Sequence, residues 1–173
     1  MRRSLTLFVT LFLLWVLTGQ INHLLSAWRV SLFLGGLYIV FAALRLRRNE
    51  GLFTVFAAGL MFDAHAPMWF GCHALLFATA HIVVFRFRTR IPRDDSLFII
   101  VVALLANLGI YLGISFTAFH DLPSSANIWP RLLTDLVVSQ VVLALVAPWF
   151  LALQARAMEI AGVDLRLEQP GMR

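Results

Sequence analysis

Apolar segments separated by arginines set the frame for this chain. The first, Leu5 to Leu17, follows Met1-Arg-Arg-Ser and can lengthen to Ile21. The others are Ala27 to Leu44, Gly51 to about Ala66, Trp69 to Phe85, Leu97 to Phe119 and Leu132 to about Leu153. A helix needs about 20 apolar residues to cross a hydrocarbon core of roughly 30 Å, and most of these runs come near that length. Hydrophobic side chains make up 61% of the residues, against roughly 45 to 50% in soluble domains. The pattern predicts an all-α integral membrane protein, a bundle of about six transmembrane helices over residues 1–153 with a short polar tail over 154–173. The basic start and first apolar run also have the shape of a signal peptide. Gln20-Ile-Asn-His23 is a poor cleavage site, however, so the run is read as the first span.

The basic residues, 14 in all, are every one an arginine, and net charge is +5. So basic a chain can signal nucleic acid, but these side chains flank apolar runs and read instead as topology signals and contacts to membrane lipids. No nucleic-acid partner is expected. Six spans put both termini on one side. Arg2, Arg3, Arg45, Arg47, Arg48, Arg86, Arg88, Arg90, Arg93, Arg156, Arg166 and Arg173 fall on that side, with only Arg29 and Arg131 opposite. The positive-inside rule then predicts cytoplasmic termini, with Trp28, Trp69 and Trp129 at the outer interface and Trp149 towards the inner one. A re-entrant third or fourth segment would leave the arginine count unchanged. The single cysteine, Cys72, allows no intrachain disulfide.

Between the third and fourth segments lies Gly59-Leu-Met-Phe-Asp-Ala-His-Ala-Pro-Met-Trp-Phe-Gly-Cys-His-Ala-Leu75, and the other helices are expected to pack round it. Residues 51–62 are apolar for about 18 Å, too short to span, so a spanning helix would carry Asp63 and His65 into the membrane. An ionisable group at that depth is costly and marks a functional hypothesis. Pro67 and Gly71 account for a break joining two short segments. Asp63 lies one turn beyond Gly59 on the same face, where a neighbouring helix can come close. His73 is within plausible reach across the break. Asp63 could cap the broken helix, dock a partner, or handle a proton or ligand.

Gly71, Ala74, Ala78 and His81 form a small-residue stripe for close helix packing, with His81 expected to hydrogen-bond inside it. Gly109-Ile-Tyr-Leu-Gly113 is a GxxxG, expected to face an internal helix. Asn107 needs a partner such as a neighbouring backbone or Gln140, and Arg131 is expected to pair with Asp135. His65, His73 and His81 share no helical face, so no metal site or cofactor is expected. Gly113-Ile-Ser115-Phe116 matches the GxSx of intramembrane serine proteases, but no histidine follows His120 to act as base. Asp94-Asp95, behind four arginines, tempers local charge more readily than it holds a divalent metal. The chain therefore reads as a non-enzyme with no catalytic residues.

Gly59-Leu-x-x-Asp63, followed by Phe70-Gly71-Cys-His-Ala74-Leu75 and an apolar run into arginines, resembles the bacterial rod shape-determining protein MreD family. The sequence departs from the family pattern at Phe70, where leucine is usual, and at Ala66-Pro67, where a serine is usual. The resemblance implies a non-enzymatic inner-membrane subunit of the cell-elongation machinery. Its partners would be an MreC-like scaffold, elongation peptidoglycan synthases and, indirectly, the MreB cytoskeleton. It also implies a bundle similar to transporter specificity subunits. Gly59, Asp63, Pro67, Gly71, His73 and Ala74 would then form a structural hub or partner-docking site, with Ala78, His81, Gly109 and Gly113 packing helices. The alternative is a substrate-binding subunit of an energy-coupling-factor vitamin transporter, with Trp28, His65, Trp69, Asn127 and Trp129 as candidate ligand contacts.

Overall fold

The computed structural model describes residues 2–66, 69–90, 96–119 and 128–162. Six α-helices account for nearly all of them: α1 (Arg2–Leu25), α2 (Gly35–Arg45), α3 (Arg48–Asp63), α4 (Cys72–Phe87), α5 (Ser96–Phe119) and α6 (Ile128–Ile160). Three helical stretches, Arg2–Trp28, Leu97–Thr117 and Trp129–Ile160, are long and apolar enough to cross a membrane. The other three helices are shorter. At 11 residues α2 is about 16 Å long, and α3 and α4, at 16 residues each, are about 24 Å.

Helix α1 packs on α3, α3 on α4, α4 on α5, α5 on α6 and α6 on α1, closing a ring; α2 runs inside it against α3, α4, α5 and α6. Every residue from Gly35 to Leu44 is buried. An all-round apolar sequence is what a helix with no outward face requires. The break at 59–75 was expected to be the centre of the chain. The centre is α2, and the break lies at one end of the surrounding α3–α4 pair.

The distribution of polarity runs opposite to that of a soluble protein. Asp63, His73, His81, Asn107, Asp135, Ser139 and Gln154 are buried, while Leu105, Phe116, Leu133, Val137, Leu145 and Trp149 stand exposed. Such an inverted surface fits a helical membrane protein, whose outer face meets lipid and whose polar groups pair internally.

Two expectations need correction. The second apolar run does not form one helix over 27–44. The chain leaves α1, makes a 3-10 turn at Ser26–Trp28, passes Arg29 in a left-handed conformation and runs without helix to α2. Unwound backbone inside an apolar bundle must find partners there. Asn22 supplies two, donating from Nδ2 to Leu32 O at 2.9 Å and accepting from Leu32 N at 2.7 Å. Asp135 accepts from Ser31 N at 3.0 Å and Ser31 Oγ at 2.7 Å. Ser139 Oγ accepts from Phe33 N at 2.9 Å, and Asn107 Oδ1 from Gly36 N at 3.1 Å. Asp135 thus serves Ser31, and among the described residues no ion pair joins it to Arg131 as the sequence suggested. Helix α6 runs on through the first residues of the expected polar tail to Ile160, with Gln154 and Met158 buried. Residues 163–173 lie outside the described ones.

Candidate helix-break hub

Helices α3 and α4 run antiparallel along a seam whose closest point is Gly59. A β-carbon there would collide with the Ala74 Cα, stand 2.7 Å from Ala74 N and 3.0 Å from the His73 carbonyl carbon. Only glycine lets the α3 backbone rest on the first turn of α4. One turn further on, Asp63 projects over that turn. Its Oδ1 accepts from His73 N at 2.8 Å and Oδ2 from Ala74 N at 3.1 Å. The His73 ring donates from Nδ1 to the same Oδ1 at 2.9 Å.

The physical logic is that of a helix cap supplied from a different helix. The first backbone N–H groups of α4 have no intrahelical acceptor, and the positive end of the helix dipole favours a carboxylate beside them. The residue at the start of α4, Gly71, has no side chain to offer and adopts φ 99°, a conformation that favours glycine. Asp63 fills that role across the break. Both Asp63 and His73 are nearly sealed, at 5% and 6% exposed. Bonds to a carboxylate are the strong kind, about 1.5 to 3 kcal/mol each.

The imidazole of His73 is oriented by aromatic packing as well as by Asp63. It stacks on Phe62 with ring centroids 5.8 Å apart and meets the edge of Phe77 at 6.5 Å. Phe62 and Phe77 in turn contact Tyr38 of the central helix, at 5.1 and 5.8 Å. The hub is therefore wired to α2. All three acceptor contacts of the carboxylate go to α4, so Asp63 clamps the end of α3 to the start of α4.

The structure thus brings together Gly59, Asp63, His73 and Ala74, with Gly71 at the turn. Pro67 lies outside the described residues. His65 turns away to the surface, its ring 4.8 Å from Trp15 of α1. Ala78 is half-buried on α4. At the other end of the α3–α4 seam His81 packs on Gly51, whose β-carbon would stand 2.7 Å from His81 Cε1. The expected hydrogen bond of His81 is not formed. The ring is fully buried against Gly51, Phe85 and the Arg48 backbone, and neither nitrogen reaches hydrogen-bond geometry. The GxxxG divides: Gly113 packs on Leu76 of α4, whereas Gly109 has nothing within 4 Å of its β-carbon position and borders an open groove. Gly51 was not singled out from the sequence; its packing on His81 places it with Gly59 in the α3–α4 seam. Among the described residues no group of three or more His, Cys, Asp or Glu could hold a metal.

No family model, no curated protein and no solved structure matches the chain.

Proposed function

We propose that this chain is a non-enzymatic, multi-pass subunit of the bacterial cell-elongation complex. In this reading it sits in the inner membrane with both termini cytoplasmic, holds an MreC-like scaffold and helps couple the MreB cytoskeleton to peptidoglycan synthesis. The observation that carries the proposal is the way the two halves of the MreD-like motif meet. Gly59 and Asp63 from one half close on His73 and Ala74 from the other, with Gly71 at the turn before them, so Gly59, Asp63, Gly71 and Ala74 each have a physical task. A pattern spread over two helices makes sense if its purpose is to hold those helices in a fixed relation for a partner. The arginine bias and the inverted surface agree with a membrane-embedded scaffold.

The test is depletion of the chain in its native bacterium with cell dimensions followed by microscopy. Rod-shaped cells should widen and round up, and the wild-type chain should restore them. Unchanged width after complete depletion would overturn the proposal.

A further inference from the structure

Helices α4 and α5 leave an apolar groove of about 470 Å³ between them, lined by Leu76, Ala80 and Val83 on one side and Val102, Ala106 and Gly109 on the other. Thr79 also borders it, but its hydroxyl donates to Leu75 O at 2.8 Å and is satisfied. The groove extends along α4 from Leu76 to Phe87, about 17 Å at the helical rise. Above Leu76 it is closed, because Leu76 packs on Gly113. The other end reaches Phe87, whose chain neighbour Arg86 is exposed, in the stretch Arg86-Phe-Arg-Thr-Arg90.

We propose that this groove seats one acyl chain of an anionic phospholipid, with its phosphate on Arg86. Length decides between a lipid and a partner helix. A transmembrane helix would need a channel through the whole core of roughly 30 Å, whereas about 17 Å is the depth of one leaflet. Charge decides which lipid. A basic side chain at the cytoplasmic mouth of an interhelical pocket matches an anionic headgroup. Arg88 on the same turn is already engaged, donating from Nη1 to Leu46 O at 3.1 Å and lying 3.9 Å over the Phe85 ring. Arg86 is thus the side chain placed for the headgroup. The inference concerns the membrane-facing surface and does not depend on the role in cell shape.

The test uses the full chain in nanodiscs of equimolar phosphatidylglycerol and phosphatidylcholine with matched acyl chains, released for native mass spectrometry. The wild type should retain one phospholipid, with phosphatidylglycerol favoured about fivefold, the gain expected of one arginine near an anionic surface. Gly109→Leu places a side chain in the groove, with open space at its β-carbon, so the chain should melt close to the wild type and lose the retained lipid. Arg86→Gln should keep a lipid but lose the preference. Equal retention of both lipids by the wild type, an unchanged lipid count in Gly109→Leu, or an unchanged preference in Arg86→Gln would overturn the proposal.

Discussion

Replacing Gly59 with alanine adds one methyl group, and the geometry makes it one of the most disruptive such changes in the bundle. The new carbon would overlap Ala74 Cα and stand 2.7 Å from Ala74 N, where ordinary contact is about 3.5 Å. The obstacle is backbone, which cannot rotate aside. Helix α3 must therefore retreat from α4 by roughly 1 Å at this level. That movement stretches the Asp63 bonds from 2.8, 2.9 and 3.1 Å towards roughly 4 Å, beyond hydrogen-bond range. Overpacking costs about 1 to 3 kcal/mol, and the weakened carboxylate bonds add about 1.5 to 3 kcal/mol. Against this stands a gain of up to about 1 kcal/mol in helix propensity. The net expectation is a loss of about 3 kcal/mol. Gly109→Ala is the control: the same chemistry in open space should be neutral or stabilising by up to about 1 kcal/mol. Equilibrium unfolding in mixed dodecylmaltoside and sodium dodecyl sulfate, followed by circular dichroism, measures both. In an Asp63→Asn background the Gly59→Ala penalty should shrink by about half, since the carboxylate bonds are already gone. Equal stabilities for Gly59→Ala and Gly109→Ala would refute the reasoning.

Other substitutions probe the rest of the account. Asp63→Asn turns an amide donor towards backbone donors, so it should destabilise by about 2 kcal/mol and fail to restore rod shape in depleted cells; full rescue would show that the charge is dispensable. Asn22→Ala leaves Leu32 N and O without partners, at about 1 to 3 kcal/mol each, and should speed deuterium exchange at residues 30–34 while α4 amides stay protected. His81→Leu removes two buried, unpartnered nitrogens at similar volume and should raise the unfolding midpoint; a loss above about 1 kcal/mol would mean that His81 has a partner after all.

What the sequence made legible follows local rules. Asp63 and Gly59 are one helical turn apart, so their shared face could be read directly, as could the reach of His73 across a break marked by Pro67 and Gly71. Six apolar runs gave six helices. The unwound stretch after Trp28 was hidden because Val30 to Leu34 is mostly apolar and continues into the apolar α2, so hydropathy cannot tell a buried extended segment from helix. Its traces were indirect: the Gly35-Gly36 pair, and Asn22, Asp135 and Ser139, polar residues in apolar helices that each needed a partner. Their partners lie far along the chain, up to 106 positions away for Phe33 and Ser139. The central place of α2 was equally illegible, since an all-apolar helix suits either lipid or a protein interior. Gly109 and Gly113 carry a similar lesson: glycine permits close approach, but only the arrangement of α4 decides that Gly113 uses it.

The most direct measurement is affinity purification of the tagged chain from its native membranes in mild detergent, with mass spectrometry of the proteins retained. The proposal predicts recovery of an MreC-like scaffold and elongation peptidoglycan synthases, weakened by Gly59→Ala in step with its loss of stability. Recovery of paired cytoplasmic ATPases with a transmembrane coupling subunit would contradict it and make the chain a transporter's substrate-binding component.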